Sequence, residues 1–434
     1  MRYTPIQKEI YIQNRRNLAK KIKPKSLAVF NSNDIMPTNA DGTMAFRQNN
    51  DIFYLTGIDQ EETVLLLFPE CPQERYREVL FVRETNEEIA IWEGHKLTKQ
   101  EATEVSGIET VFWLSDFKKI FHLLMGKCEE VYLNSNEHTR AVVEVETRDA
   151  RFIKWCKDTF PLHSYNRITP QMHDLRAVKS PAEIAQIQTA CDITEEGFRR
   201  VLKFLKPGVM EYEVEAEYIH EFVRRGSRGF AYTPIVASGF NSCVLHYIEN
   251  DQPCKEGDLL LMDVGAEYGN YNADMTRTIP VSGRFTPRQK EVYNAVLRIM
   301  KEAKKILKTG ILIDDYHVQI GEIVTKELID LKLITTTEVK NQDPAWPAYK
   351  KYMMHGTSHH LGLDVHDVGN WDNEVTPGMV FTIEPGIYIR EENFGIRLEN
   401  DVVVTPGGND DLMKNIPIEA EEIEELMNSK VGVM

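Results

Sequence analysis

Two segments of the chain repeat a frame in which a carboxylate closes an apolar run. A glycine is followed by five mostly apolar residues, a carboxylate, one further residue and a glycine: Gly257, Asp263 and Gly265 in one copy, Gly378, Glu384 and Gly386 in the other. Each copy is followed by a second strand-like segment bearing another acid, Asp274 or Glu399, and preceded by a histidine, His246 or His366. Leu259 and Leu261 share a strand face with Asp263, while Leu260 and Met262 make the other face equally apolar, so a strand buried on both sides is expected. Burying a lone charge is costly; Asp263 must be protonated, paired with a base or bound to a cation. The same holds for Glu384 behind Met379 to Ile383.

If a pseudo-twofold axis relates the two copies, Asp263, Asp274, Glu384 and Glu399 converge, and like charges do not share a dry site without compensation. Arg397, two residues before Glu399, can offset one charge; the rest calls for divalent metal. A neutral ligand is available in the run that holds His355, His359, His360 and His366. Carboxylates with one imidazole form a hard, oxygen-rich set suited to Mn, Fe, Co or Zn and unlike a thiolate zinc site. Bridging acids point to two metals, roughly 3.5–4 Å apart, sharing a hydroxide. Other chemistries fit less well. His355 and His359 have H-x-x-x-H spacing without an intervening general-base Glu. Cys243 has no identifiable partner for nucleophilic catalysis, and neither a Walker A nor a G-x-G-x-x-G loop is present.

The elements that must hold these residues are partly legible. A length of 434 residues allows two to four domains, and 27% charged against 42% hydrophobic residues is the balance of an ordinary globular chain. From Ser26 to about Ser135, strand-sized runs recur at Leu27–Phe30, Phe53–Leu55, Val64–Phe68, Val79–Val82, Ile89–Trp92, Val111–Leu114 and Val131–Leu133. Helices are expected at Thr98–Val105 and Ser115–Leu124, giving an α/β domain over residues 1–173. The boundary is expected in Arg167–Ser180, a charged stretch of little periodicity. Residues 174–434 open on a capping box, Ser180 with Glu183, followed by a helix ending near Pro207 and Gly208. A second helix opens at Thr286 and Pro287 and is expected to stop at Gly310. With the repeated frames, this region reads as two copies of an αββ unit.

A net charge of −16 argues against nucleic acid. No apolar run approaches the ~20 residues of a membrane span, and Met1–Asn17 lacks the features of a signal peptide. Six cysteines without a C-x-x-C pair suit a reducing cytoplasm, the expected location.

At these residues the sequence resembles the pita-bread metallopeptidases, and within them the Xaa-Pro aminopeptidases of the aminopeptidase P type. In the first domain the similarity rests on Phe46 to Gly57. In the second it rests on Thr233–Gly239, Val244–Tyr247, Met354–Gly356, Leu361–Gly369 and Thr382–Gly386. The resemblance implies an α/β N-terminal domain followed by an α+β pita-bread domain with pseudo-twofold duplicated αββ units. It implies two divalent metals, manganese first with Co, Zn or Fe as alternatives. Asp263 chelates one, His359 and Glu384 hold the other, and Asp274 and Glu399 bridge them. The shared hydroxide attacks the scissile carbonyl, and Glu384 shuttles the proton. His246 and His366 match substrate-binding positions, His355 the histidine beside the proline pocket, Arg397 the base supporting the ligating acids, and Trp371 an aromatic near the leaving-group proline. The implied partners are peptides with proline at the second position and copies of the same chain, in a dimer or tetramer. The short acidic loop Trp371–Thr376 and the brief connection Tyr388–Gly395 depart from the pattern at the substrate rim, so a prolidase acting on Xaa-Pro dipeptides is the alternative.

Overall fold

The structure, a computed structural model, describes residues 2–429. The chain divides into two compact units: residues 5–176, and the residues from 177 onward together with the segment before Pro5.

The first unit is built on a six-stranded mixed sheet of β1 (Ser26–Asn31), β2 (Val64–Leu67), β3 (Glu78–Val82), β4 (Val111–Trp113), β5 (Glu130–Leu133) and β6 (Ser164–Arg167), in the order β4-β3-β2-β1-β5-β6. The β1–β2 and β2–β3 pairs are antiparallel, and β1–β5, β5–β6 and β3–β4 are parallel. Two of the strand-sized runs are helices instead. Phe53–Leu55 lies in Asn50–Thr56, where the Asn49 side chain accepts from the Asp51 and Ile52 N–H groups and Gly57 closes the helix at φ 69°. Ile89–Trp92 lies in Glu87–Glu93, capped by Asn86, with acids in its first turn. Ile91 and Trp92 are 80% and 83% exposed, so this apolar run has no core to enter as a strand. Local capping outweighs short-range hydrophobicity in both cases. The strand β6 carries no apolar run, and the stretch expected to be aperiodic contains a helix, Thr169–Ala177.

The second unit opens with the helix Pro181–Phe204, whose Ser180–Glu183 capping box is formed in both directions, followed by Glu211–Arg224. The three-stranded sheet that follows holds β7 (Ile235–Ser238), β8 (Leu259–Val264) and β11 (Met275–Pro280), ordered β11-β8-β7. Between β8 and β11 lies the small pair β9 (Glu267–Tyr268) and β10 (Tyr271–Asn272). The helices Pro287–Ile306 and Ile313–Asp330 begin the second half. Its strands are β12 (Val380–Ile383), β13 (Gly386–Ile389), β14 (Phe394–Arg397), β15 (Asn400–Thr405) and β16 (Gly408–Asp411), in the sheet β12-β15-β16 and the pair β13–β14. The helix opened by Thr286 ends at Ile306 rather than Gly310, because the chain turns away at Leu307 in extended geometry. Likewise the first helix ends at Phe204, before Pro207.

The duplication is visible in matching pairs. The antiparallel β8–β11 pair corresponds to β12–β15, so Asp263 and Glu384 stand at, or just beyond, the end of the leading strand in each half. The segment around His359 and His360 runs along β12 as β7 runs along β8, with Thr382 N–H donating to His359 O and Leu361 N–H to Val380 O. The halves are stitched at their centre. Glu399 N–H donates to Thr276 O at 3.0 Å, Asp274 N–H to Asp401 Oδ2 at 3.0 Å, and the buried Arg277 guanidinium to Glu399 O and Asn400 Oδ1, each at 2.7 Å.

Gly265, which closes the first repeated frame, is required by close approach: a Cβ there would lie 1.8 Å from Ala273 O. The strand must kink past its neighbour to bring Asp263 and Asp274 side by side. Gly265→Ala is expected to destabilise the fold by about 1–3 kcal/mol or more and to lower metal content in parallel, measured by denaturant unfolding and metal analysis of the purified protein.

Candidate active site

All five expected ligand side chains meet in the second unit. Asp263 ends β8, Asp274 lies immediately before β11, Glu384 follows β12, and Glu399 sits between β14 and β15; His359 comes from the loop running beside β12. Ligand atoms of Asp274, His359 and Glu399, all buried, lie within 4.8 Å of one another. His359 Nε2 is 3.5 Å from Asp274 Oδ2 and 3.6 Å from Glu384 Oε1. Asp263 joins the group through Tyr232, whose hydroxyl is 2.6 Å from both Asp263 Oδ1 and Asp274 Oδ1.

His359, Glu399 and Asp263 are each oriented by a second contact. The His359 Nδ1–H donates to the His360 carbonyl at 2.9 Å, which turns Nε2 toward the carboxylates, the orientation of a metal-ligating imidazole once Nε2 is deprotonated. Thr276 Oγ1 donates to Glu399 Oε2 at 2.6 Å. Arg397 donates through Nη2 to Asp263 Oδ2 at 2.5 Å, through Nη1 to Tyr388 Oη at 2.8 Å and through Nε to Thr276 Oγ1 at 3.1 Å. The cation expected to offset one charge makes its direct bond to Asp263, across the two halves, while its charge also acts on Glu399. The Tyr388 hydroxyl, accepting from Arg397, is 2.7 Å from His355 Nε2, and His355 Nδ1 is 2.7 Å from Gly356 O. These partners assign the Nδ1–H tautomer to His355.

The electrostatics identify what the cluster lacks. Burial pushes Glu384 up to about 7 against the pull of His359 and Arg397. Burial together with the neighbouring acids holds Glu399 well above the usual carboxylate range, and burial raises Asp274 as well. Burial alone would depress His359, but the hydrogen bond to Asp274 and the charge of Glu384 raise it to about 9. Burial and the neighbouring Arg397 depress His355 to about 4, so its ring is neutral at physiological pH. A cluster with too little positive charge, in which oxygen and imidazole lone pairs face one point, fits divalent cations.

A pH dependence follows. Ligation requires His359 to lose its proton, and Glu384 and Glu399 likewise, so protons compete with metal. Apparent metal affinity is expected to climb as pH rises from about 6 through 9, with about one or more protons released per binding event near pH 7.5. Calorimetry in buffers of different ionisation enthalpy measures this; pH-independent affinity contradicts it.

The remaining expected residues lie around this cluster. His366 packs edge-on against His359, ring centroids 4.4 Å apart, and is itself exposed. His246 is exposed on the segment after β7, and its charge is felt at His355. Trp371 is 39% exposed with its ring 5.0 Å from His360. Sequence reasoning missed Tyr232, Thr276 and Tyr388. Tyr232 directly precedes the Thr233–Gly239 motif and Tyr388 lies two residues after Gly386, but neither hydroxyl announces a partner by spacing. The hydrogen bonds of Tyr388 exist only once β13 pairs with β14, bringing Gly386 opposite Arg397.

Comparison with known proteins agrees with this geometry. Residues 185–406 match metallopeptidase family M24, and residues 11–132 match the aminopeptidase P N-terminal domain. The chain is 34% identical to an Escherichia coli (strain K12) protein named Xaa-Pro aminopeptidase, over 97% of this chain and 98% of the relative. A Haemophilus influenzae protein of the same name is 32% identical, with 98% of both chains covered. Among solved structures, Zn-substituted E. coli aminopeptidase P in complex with product superposes with a TM-score of 0.86 at 33% identity, covering 98% of this chain and 99% of that one. The Pseudomonas aeruginosa aminopeptidase PepP gives 0.88 at 32% identity, covering 98% of both. The chain belongs to metallopeptidase family M24, with an N-terminal domain of the aminopeptidase P type.

Proposed function

We propose that this chain is a dinuclear metal-dependent aminopeptidase that removes the N-terminal residue from peptides with proline at the second position. The observation that supports this reading is the buried cluster of Asp274, His359 and Glu399, whose ligand atoms lie within 4.8 Å of one another, with Glu384 3.6 Å from His359 and Asp263 joined through Tyr232. Full-length relatives named Xaa-Pro aminopeptidase support the substrate class.

In the proposed division of roles, Asp263 would hold one cation, His359 and Glu384 would hold the other, and Asp274 and Glu399 would serve both. Manganese is the proposed metal, with Co, Zn or Fe as alternatives. When bound, such cations polarise a carbonyl and lower the pKa of water. The protein's own groups do the rest. Glu384, with Oε2 3.8 Å from His355 Nδ1, takes and returns a proton. His355, held neutral and fixed by Tyr388 and Gly356, stands beside the substrate proline. His246 and His366, both exposed at the rim, bind the peptide and its tetrahedral intermediate, and Trp371 offers an apolar face to the proline ring. Arg397 aims the Asp263 side chain through its bond from Nη2 to Oδ2. The working form is proposed to be a dimer or tetramer in the cytoplasm; among the described residues no helix is long and apolar enough to cross a membrane.

The test offers metal-loaded protein an Xaa-Pro-Yaa tripeptide, an Xaa-Pro dipeptide and a proline-free tripeptide, with chelated protein as control. Cleavage of the first alone is expected. Preference for the dipeptide moves the assignment to prolidase, equal rates on the proline-free peptide retire the Xaa-Pro specificity, and cleavage surviving in chelator removes the metal mechanism.

A further inference from the structure

The first unit contains a cavity of about 650 Å³ that is separate from the metal cluster and built entirely from its own residues. It opens at one end of the six-stranded sheet, beside Asn31 at the end of β1, Val64 at the start of β2 and Leu114 just after β4. Parallel strands in α/β sheets commonly present ligand crevices at this end. The volume is that of a small-molecule site.

One wall is apolar and aromatic. Phe117, Phe152 and Trp155 pack on the domain core from outside, with centroids 6.0 Å apart for Phe117–Phe152 and 5.5 Å for Phe152–Trp155, while other parts of the same rings line the cavity. The same lining carries charge, Arg148 sharing a helix with Phe152 and Trp155 and Lys118 adjoining Phe117. Its two acids are already engaged: Asp34 accepts from Arg148 N–H at 2.8 Å and pairs with Arg151 at 2.5 Å, and Glu62 pairs with Arg83 at 3.2 Å. The cations Arg148 and Lys118 are not. Among the described residues neither is in a direct ion pair with a carboxylate: the Arg148 guanidinium donates only to the Ser32 hydroxyl, at 2.6 Å, while the charges of Glu62, Asp34 and Asp149 act on it from further away.

The placement of Arg148 is the telling feature. It is the first residue of the helix Arg148–Thr159, where the helix dipole favours negative charge and disfavours a cation. Burial further disfavours its charge, pulling the guanidinium below its ordinary value. The adjacent Asp149 gives little compensation, because burial raises it to about 7. A half-buried guanidinium at the positive end of a helix, with no carboxylate in direct contact and only the more distant charges of Glu62, Asp34 and Asp149 to offset burial, is placed to receive an anion in the cavity.

We propose that this cavity is a second ligand site, which takes a carboxylate joined to a flat apolar body: the carboxylate on Arg148 and Lys118, the body against Phe117, Phe152 and Trp155. Such a group is found on a free aryl acid and on the C-terminus of a peptide ending in an aromatic residue. Calorimetric titration of the metal-loaded full chain with 3-phenylpropionate and its amide, and with Gly-Gly-Phe and its amide, tests both. Each acid is expected to bind about tenfold or more tighter than its amide. Tighter binding by 3-phenylpropionate identifies a free acid as the ligand type, and tighter binding by Gly-Gly-Phe a peptide C-terminus. Arg148→Met should weaken acid binding about tenfold or more, with Lys118→Met giving a smaller loss and Arg148→Lys partial recovery. Xaa-Pro cleavage should be unchanged in all three. The proposal is overturned if acid and amide bind alike, if folded Arg148→Met binds as wild type does, or if neither acid binds at about millimolar concentration. Should Arg148→Met fail to fold, the Lys118→Met variant and the acid-to-amide ratio still decide it.

Discussion

Asp274→Asn is expected to lower kcat/KM for an Xaa-Pro peptide about 10³-fold, the equivalent of several kcal/mol of lost transition-state stabilisation. Asp274 sits at the centre of the halves' junction: Tyr232 Oη lies at 2.6 Å, His359 Nε2 at 3.5 Å and, through the Asp274 backbone, Asp401 is held as well. Asparagine keeps the shape and can still accept from Tyr232, so the fold should survive while one anionic ligand disappears. Metal analysis and steady-state kinetics on the same preparation separate the causes. Full metal occupancy with activity within about tenfold of wild type would rule out the bridging role.

The second large effect is expected at Arg397. Its side chain is 5% exposed and feeds Asp263, Tyr388 and Thr276 at once. Arg397→Met leaves Asp263 without its cation in a site already rich in negative charge, and breaking one partner of a buried pair costs about 3–5 kcal/mol. The loss should be largest in chelated protein, because bound metal takes over part of the compensation. Arg397→Lys is expected to recover little: an ammonium cannot reproduce three donors fixed in one plane. Without Arg397 the Tyr388 hydroxyl loses a donor and His355 its anchor, so kcat should fall as well. Denaturant unfolding with and without metal, alongside kcat and KM, checks both parts; equal stability of Arg397→Met and wild type in chelator contradicts the argument.

What was legible beforehand follows from the range of each interaction. The capping box of Ser180 with Glu183 acts within one turn and formed where the residue types placed it, and the second helix starts after Thr286 as expected, its cap completed by Gln289. The repeated frames were readable because a charge closing an apolar run conflicts with burial, and the conflict recurs. The strand-like runs at Phe53–Leu55 and Ile89–Trp92 misled because three or four apolar residues suit either secondary structure, and the deciding information lay in Asn49, Asn86 and Gly57 outside the runs. Tyr232 and Tyr388 were invisible for another reason. Their partners lie 31 and 42 residues away for Tyr232, and 9 and 33 for Tyr388, so only the closed tertiary structure defines them.

The central stitching of the second unit also bears on how the protein matures. Asp263 and Asp274 belong to the first half, His359, Glu384 and Glu399 to the second, and the backbone bonds of Thr276 with Glu399 and of Asp274 with Asp401 fasten the halves at the same place. Neither half alone contains a complete coordination set. On the proposed ligand set, metal capture would act as a checkpoint on assembly, since the Asp274, His359 and Glu399 cluster forms only when both halves are docked in register. A peptidase built in this way is harmless until it is finished.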